Sequence, residues 1–323
     1  MPRPSSSTTR RPRCRTGKRA GFAPPEVTTM TTSRQMPRPA PNMRRGLLLA
    51  GLAALIATPA PTLAAAADTT CANAQLPDTP VSTKLREMSL TPGVKIDPAT
   101  FMKDPETAAY VAQLTSRQQA LLKTDWSGLC RYRADNAAQA IRPRAVFLGD
   151  SITENWGRAD PGFFSDTMLD RGISGQTSSQ ILLRFYPDVV ALKPAVVHIM
   201  AGTNDILQNA GAIRDDDVVN NFGAMLDVAQ ANRIRVVIAS IPPISVRSWQ
   251  PDLKPAVRVK RLNDRLRTLA TQRGAVFVDY FAPLHDADDG LRADLGNDGV
   301  HPNRAGYAAM RPLASGAVAR ATR

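Results

Sequence analysis

Ala145-Val146-Phe147-Leu148-Gly149-Asp150-Ser151-Ile152-Thr153-Glu154-Asn155-Trp156 is the stretch whose reading decides the fold. Four apolar residues, too few for a helix, run into Gly-Asp-Ser and then into a segment that can begin one. An unbroken apolar run this short reads as a strand buried on both faces, as strands of parallel sheets are. A serine at the turn that follows can lift its hydroxyl off the sheet, among backbone N–H groups left open at the helix start. The same serine could instead be an N-cap, the commoner use of Ser at such a place.

Outward from this stretch, apolar runs recur at 195–201, 235–241 and 275–280, with a weaker one near 169–173. Helical spacing fills the intervals at 178–192, 218–232 and 256–273, and again at 304–320. In the third of these, Leu262, Leu266 and Leu269 keep one face while Arg261, Arg265 and Arg267 keep the other. Strands alternating with helices predict an α/β fold with a five-stranded parallel sheet between helical layers. Such sheets hold their sites outside the carboxyl ends of the strands.

Short polar motifs stand where that rule puts a site. Gly149-Asp150-Ser151 follows the first strand, and Arg171-Gly172-Ile173-Ser174-Gly175 the second. Gly202-Thr203-Asn204-Asp205 follows the third, and Asp298-Gly299-Val300-His301 comes after the fifth. Ser151 can attack an acyl carbonyl, His301 can take its proton, and Asp298 can accept the other ring N–H and fix the tautomer. The N–H groups of Ser151 and Gly175 and the side-chain amide of Asn204 can donate to the developing oxyanion. The plainer readings make Asp298 a turn residue in Asn297-Asp298-Gly299 and His301 a helix cap, and neither excludes catalysis. Asp150 reads as a cap for the helix after Ser151, and Asp205 as a residue that orders its loop. His198, mid-strand, reads as a core residue, and His285 has no second feature beside it.

These four blocks resemble those of the SGNH hydrolase superfamily, the GDSL esterases and lipases. Ser151, Gly175, Asn204 and His301 match its four name-giving residues, and Asp298 its triad acid. The resemblance covers about residues 142–315. It implies a flavodoxin-like three-layer α/β/α fold and a serine hydrolase that needs no metal or cofactor. Ile152 stands where the short family name has Leu, a conservative exchange. Gly-Asp-Ser-Ile-Thr with Trp156 close by is similar to the platelet-activating-factor acetylhydrolase-like and carbohydrate-esterase-like branches.

The chain has 323 residues and a formal charge of +13, which taken whole would suggest a nucleic-acid partner. Residues 1–67 hold eleven of its basic residues and one acid, Glu26, so the remainder carries 30 basic and 27 acidic residues. The excess belongs to the leader, and nucleic acid is discounted. Met43-Arg44-Arg45 and the apolar run 46–57, then small residues to Ala67, read as an export signal over 43–67. The apolar run falls short of the roughly 20 residues that span a bilayer. An uncleaved anchor is the alternative, and the Arg pair loosely resembles a twin-arginine signal. Residues 1–42, rich in Pro, Arg, Ser and Thr, lack the apolar content to fold, and translation is expected to start at Met36 or Met43.

The expected organisation is therefore a leader (1–67), a partly helical extension (68–141) and the hydrolase domain (142–323). A small independent module is the alternative for the extension. Asp104-Pro105-Glu106 marks a helix start there, with helical spacing to about Lys123. Beyond the leader only Cys71 and Cys130 remain, and in an exported chain they are expected to pair; two free thiols are the alternative. No Cys/His spacing suggests a metal site.

The expected activity is hydrolysis of short-chain carboxylic esters in the periplasm or outside the cell, with O-acetyl groups on carbohydrate as leading substrate. The absence of a long apolar lid between the motifs favours short acyl chains. Trp156, Tyr186 and Trp249 could rim the site for sugar stacking or cover core edges. A lysophospholipase or thioesterase is the alternative, and a non-catalytic binding protein on the same fold the third reading.

Overall fold

The computed structural model describes residues 71, 78–95, 101–245 and 253–323. The leader with its export signal, and Trp249, lie outside the described residues. The described residues all belong to the compact unit Leu63–Arg323.

Five strands form one all-parallel sheet: β1 (Ala145–Gly149), β2 (Met168–Gly172), β3 (Val196–Met200), β4 (Arg235–Ala239) and β5 (Val276–Val278), in the order β2-β1-β3-β4-β5. The chain leaves β1 to one side for β2 and returns on the other side as β3. The order therefore reverses at β1, which makes its carboxyl end the crevice of a doubly wound sheet. This is the predicted fold class.

The continuous apolar strands are explained by two cores, one on each face. Val146 and Leu148 face one layer, with Ile181, Phe222, Leu262 and Leu266. Ala145 and Phe147 face the other, with Trp156, Tyr307, Met310 and Ala314. The first layer comprises α5 (Ser178–Leu183), α7 (Asp215–Ala231) and α8 (Pro255–Gln272). The second comprises α4 (Ser151–Ala159) and α10 (Arg304–Ala321). Each large side chain moved from water into these layers contributes about 1.5–3 kcal/mol. Gly172 ends β2 where a Cβ would run into the Glu154 backbone, which lets α4 lie close over the strand.

The helix expected over 178–192 is interrupted. α5 stops at Leu183, and a separate π-helical turn covers Tyr186–Val190. Pro187 supplies no N–H, and its ring would crowd the Leu183 carbonyl of a regular α-helix, which favours the break at this point.

Before the sheet come α1 (Pro80–Leu90), α2 (Pro105–Thr124) and α3 (Arg133–Ala138). The Asp104-Pro105 start is where α2 begins, whereas α1 was not anticipated. α1 opens on a capping box between Thr79 and Ser82, and its Leu90 is buried in the second core. Its last carbonyls, from Met88, Ser89 and Thr91, accept from the Asn297 side chain at 2.9, 3.1 and 2.7 Å. Cys71 and Cys130 form a disulfide across 59 residues.

Closing a loop of that length removes unfolded-chain entropy, for an expected contribution of about 2–4 kcal/mol. The Cys71→Ser/Cys130→Ser protein should lose stability in that range by denaturant unfolding. An unchanged midpoint would show that the bridge constrains nothing the fold needs.

Candidate active site

The end of β1 sets the position of Ser151. Asp150 is the N-cap of α4, its Oδ1 accepting from the Ile152 N–H at 2.9 Å. Ser151 is thereby the first residue of the helix, and it is only 8 % exposed. Its Oγ lies 2.9 Å from His301 Nε2, and His301 Nδ1 lies 2.6 Å from Asp298 Oδ2. An ionised carboxylate only accepts, so Nδ1 carries the proton and Nε2 turns its lone pair to the serine hydroxyl.

Asp298 fills two roles at once. Its Oδ1 accepts from the N–H groups of Val300 and His301, at 2.9 and 2.8 Å, and Gly299 turns the loop at φ +78°. Burial pushes its carboxyl up, but the His301 charge, the ring hydrogen bond and the two backbone N–H groups outweigh that and hold it well below the usual carboxylate range. The turn reading and the triad geometry therefore coexist. His301 does not cap α10, because Asn303 does, accepting from Ala305 and Gly306 at 3.0 and 3.1 Å.

Asn204 follows β3 on the short helix α6 (Thr203–Ile206), entered through Gly202 at φ +114°. Its Nδ2 donates to Gln176 O at 2.9 Å and to Asp150 Oδ2 at 3.3 Å, while Asn209 donates to its Oδ1 at 2.5 Å. The longer bond is the weaker one, and it is the one an ester oxygen would share or displace. Gly175, at φ +81°, lines the same cleft as Ser151, Asn204 and His301. The five expected catalytic and oxyanion residues thus meet at one sheet edge.

Other expectations resolve individually. Asp205 is buried and accepts from Ser178 N and Oγ at 2.8 and 2.6 Å, tying α6 to α5. His198 is buried against Phe147, its Nε2 2.9 Å from Tyr280 Oη, and burial lowers its pKa to about 3. His285 sits against the carbonyls of Phe281 and Ala282. Trp156 is fully buried among Phe163, Phe147 and Tyr307, so it is a core residue and no part of a rim. Tyr186 is exposed but does not line the cleft. Among the described residues no group of three or more His, Cys, Asp and Glu is placed to hold a metal. No described helix is long and apolar enough to cross a membrane.

Sequence reading missed the supporting residues. Arg184, fully buried, donates to Gly149 O at 2.6 Å, Arg171 O at 2.8 Å, Gln176 Oε1 at 2.5 Å and Asp188 Oδ2 at 2.9 Å. Its setting at the end of a helical stretch carried no signal of this. Pro187, three residues on, was the available hint that the segment bends. Also missed was the far wall of the cleft. The cavity, about 970 Å³, is bounded by Ser151, Gly175, Asn204 and His301 on one side and by residues of α1 and α2 on the other.

A parallel α/β sheet with a hydrogen-bonded Ser-His-Asp chain at its switch point defines a protein of the hydrolase class. The profile of the GDSL-like lipase/acylhydrolase family matches residues 147–309, half the chain, and the chain belongs to that family. It is similar to the crystal structure of a GDSL-like lipase from Bacteroides thetaiotaomicron, with 38% identity and a TM-score of 0.58 over 61% of this chain and 100% of that one. A Bacteroides fragilis structure gives 39% identity and a TM-score of 0.59 over 62% and 99%. An acetylxylan esterase from Geobacillus stearothermophilus is 27% identical over 200 residues, 51% of this chain and 88% of that one.

Asp150 exposes a conflict between site and stability. Burial raises its carboxyl to about 6, against the opposing pull of the Ile152 N–H and the His301 charge. A folded-state value above the unfolded one stabilises the fold at low pH, and that contribution is lost as pH rises through about 6. Asp150→Asn should therefore gain stability relative to wild type between pH 4 and 7, by up to about 3 kcal/mol. The new amide would face the Asn204 amide, donor to donor, and ester turnover should fall by up to about 10²-fold. Unfolding curves at the two pH values, with rates on an aryl acetate, check both halves.

Proposed function

We propose that this chain is an exported serine esterase that removes short acyl groups, acetyl foremost, from carbohydrate esters. The observation that carries the reading is the relay Ser151–His301–Asp298, at 2.9 and 2.6 Å, opening into a roomy cleft. His301 Nε2 takes the hydroxyl proton as Ser151 Oγ attacks the ester carbonyl. The tetrahedral oxygen is held by the N–H groups of Ser151 and Gly175 and by the Asn204 amide. Collapse of this adduct breaks the bond to the alcohol, which leaves with the proton from His301. Water then attacks the acyl-enzyme by the same steps in reverse.

Two observations favour a carbohydrate alcohol. The cleft is lined by Arg, Asn, Gln and Ser side chains suited to hydroxyl groups, and the Geobacillus relative is named for acetylxylan. Tyr110, Leu114 and Leu121 on one wall favour a second reading, a lysophospholipase-type acylhydrolase. Export rests on the signal pattern at 43–67, supported by the Cys71–Cys130 bridge, since such bonds persist in oxidising compartments.

Rates on acetylated xylan, on 4-nitrophenyl esters of graded chain length and on lysophospholipid should rank the acetyl substrates first. A preference for long chains would transfer the reading to lysophospholipid. Ser151→Ala should lower kcat by about 10⁴-fold or more and abolish labelling by a fluorophosphonate. Full activity in that variant would remove the assignment. N-terminal sequencing of the secreted product should begin near residue 68.

A further inference from the structure

Two of the N–H groups assigned to the oxyanion stand on different elements. That of Ser151 opens α4, and that of Gly175 lies in the loop after β2. A tetrahedral oxygen is held well only while each donor stays about 2.7–3.1 Å from it, so the spacing of loop and helix has to be fixed in advance. One side chain spans the gap. Glu154, one turn beyond Ser151 on α4, accepts at Oε2 from the Ser174 N–H at 2.9 Å and from the Ser174 hydroxyl at 2.5 Å. Ser174 is the residue before Gly175. Resting on the esterase reading, we propose that Glu154 is a positioning residue for the oxyanion site. It holds the Gly175 N–H in register with that of Ser151, and the extension ahead of the sheet completes the hold.

Both carboxylate oxygens are in use. Oε1 accepts from Arg158, on the same helix, at 3.0 Å and from Arg131 at 3.2 Å. The side chain is only 12 % exposed. Burial works against its charge, but Arg158, the Ser174 bond and Arg131 outweigh that and hold the carboxyl below its usual range. It is therefore ionised at neutral pH and only accepts, and bonds of this charge-assisted kind are the stronger ones. An acid kept to support its own helix would be satisfied by Arg158, four residues on. The bonds to Ser174 leave the helix for the loop that carries the oxyanion donor.

The extension grips the same loop. Arg131 follows Cys130 of the disulfide. Its neighbour Tyr132 donates from Oη to Gly172 O at 2.5 Å, and Gln176 Nε2 donates to Ser127 O at 2.8 Å. Residues 127–132 thus hold both ends of the segment 172–176, and Glu154 holds its middle. Those residues lie outside 147–309, so the family match does not supply their half of the arrangement.

An amide has one acceptor oxygen and one NH2 donor. Glu154→Gln can therefore satisfy Ser174 or the two guanidiniums, but not both. Its kcat on phenyl acetate should fall about tenfold, a part of the roughly 10²–10³ that outright loss of a donor costs, with KM nearly unchanged. Ki for an aryl trifluoromethyl ketone should rise by the same factor, because its adduct with Ser151 places an oxyanion at the same point. The loss should be equal on acetylated xylan, since a misplaced donor harms every ester alike. Rates are counted per site labelled by a fluorophosphonate, so unfolded protein does not enter. Ser174→Ala, at an exposed position, should lose about threefold in the same pattern, the size of one neutral hydrogen bond. Ser174→Thr, which keeps the hydroxyl, should not. Equal rates in these two overturn the assignment, and they decide it alone if Glu154→Gln does not fold. An unmoved kcat in Glu154→Gln, a loss confined to KM or to one alcohol, or a Ki that stays put while kcat falls also overturns it. Turnover surviving in Ser151→Ala instead defeats the esterase reading and takes this inference with it.

Discussion

A single buried guanidinium organises the reacting edge of the sheet. Arg184 holds the carbonyl ends of β1 and β2 through Gly149 and Arg171, and fixes Gln176, whose own carbonyl takes the Asn204 amide. A charge with no exposed surface is tolerable only when it is paired and its donors are used. Asp188 supplies the pairing, and is itself held by Asn136, which also accepts from Arg171. The interruption after α5 belongs to this arrangement, because the π-helical turn places Asp188 beside Arg184. The strands set the layout of the site, but this ion pair sets the register of its loops.

The strands and their carboxyl-end motifs were legible because both depend on local chemistry. β1 had to be apolar throughout, since helices cover both faces, and Gly-Asp-Ser had to follow where the chain turns. Ser151, Asn204 and Asp298 are each placed by contacts within a few residues or by the end of a strand, and such contacts leave a mark in sequence. Arg184 left little, because three of its four partners, Gly149, Arg171 and Gln176, lie in other segments and only Asp188 is local. Trp156 could be read either way, since an aromatic residue one turn into a helix can face solvent or core. The stacking on its ring of Phe163, just past the helix end, and of Tyr307, from far along the chain, decides for the core.

The extension illustrates the same limit. Its helices have weak apolar patterns because none of the three has to cover a core of its own. α1 buries Leu90 and leans on Asn297, one residue from the triad acid. α2 turns its best-patterned face to a cavity, where Leu and Arg can sit side by side without contradiction. A sequence pattern judged against core burial alone therefore undervalues such a helix.

The hydroxyl of Ser151 and the ring of His301 are separated by 150 residues of chain. Bringing them together requires nearly every crossover of the sheet to be complete, and such non-local contacts form late and slowly. No fragment and no half-folded intermediate can possess the relay, so chemical competence arises only with the finished topology. A chain stopped before its last loop carries Ser151 without His301 and so lacks the hydrogen-bonded relay altogether, a consequence of connectivity alone.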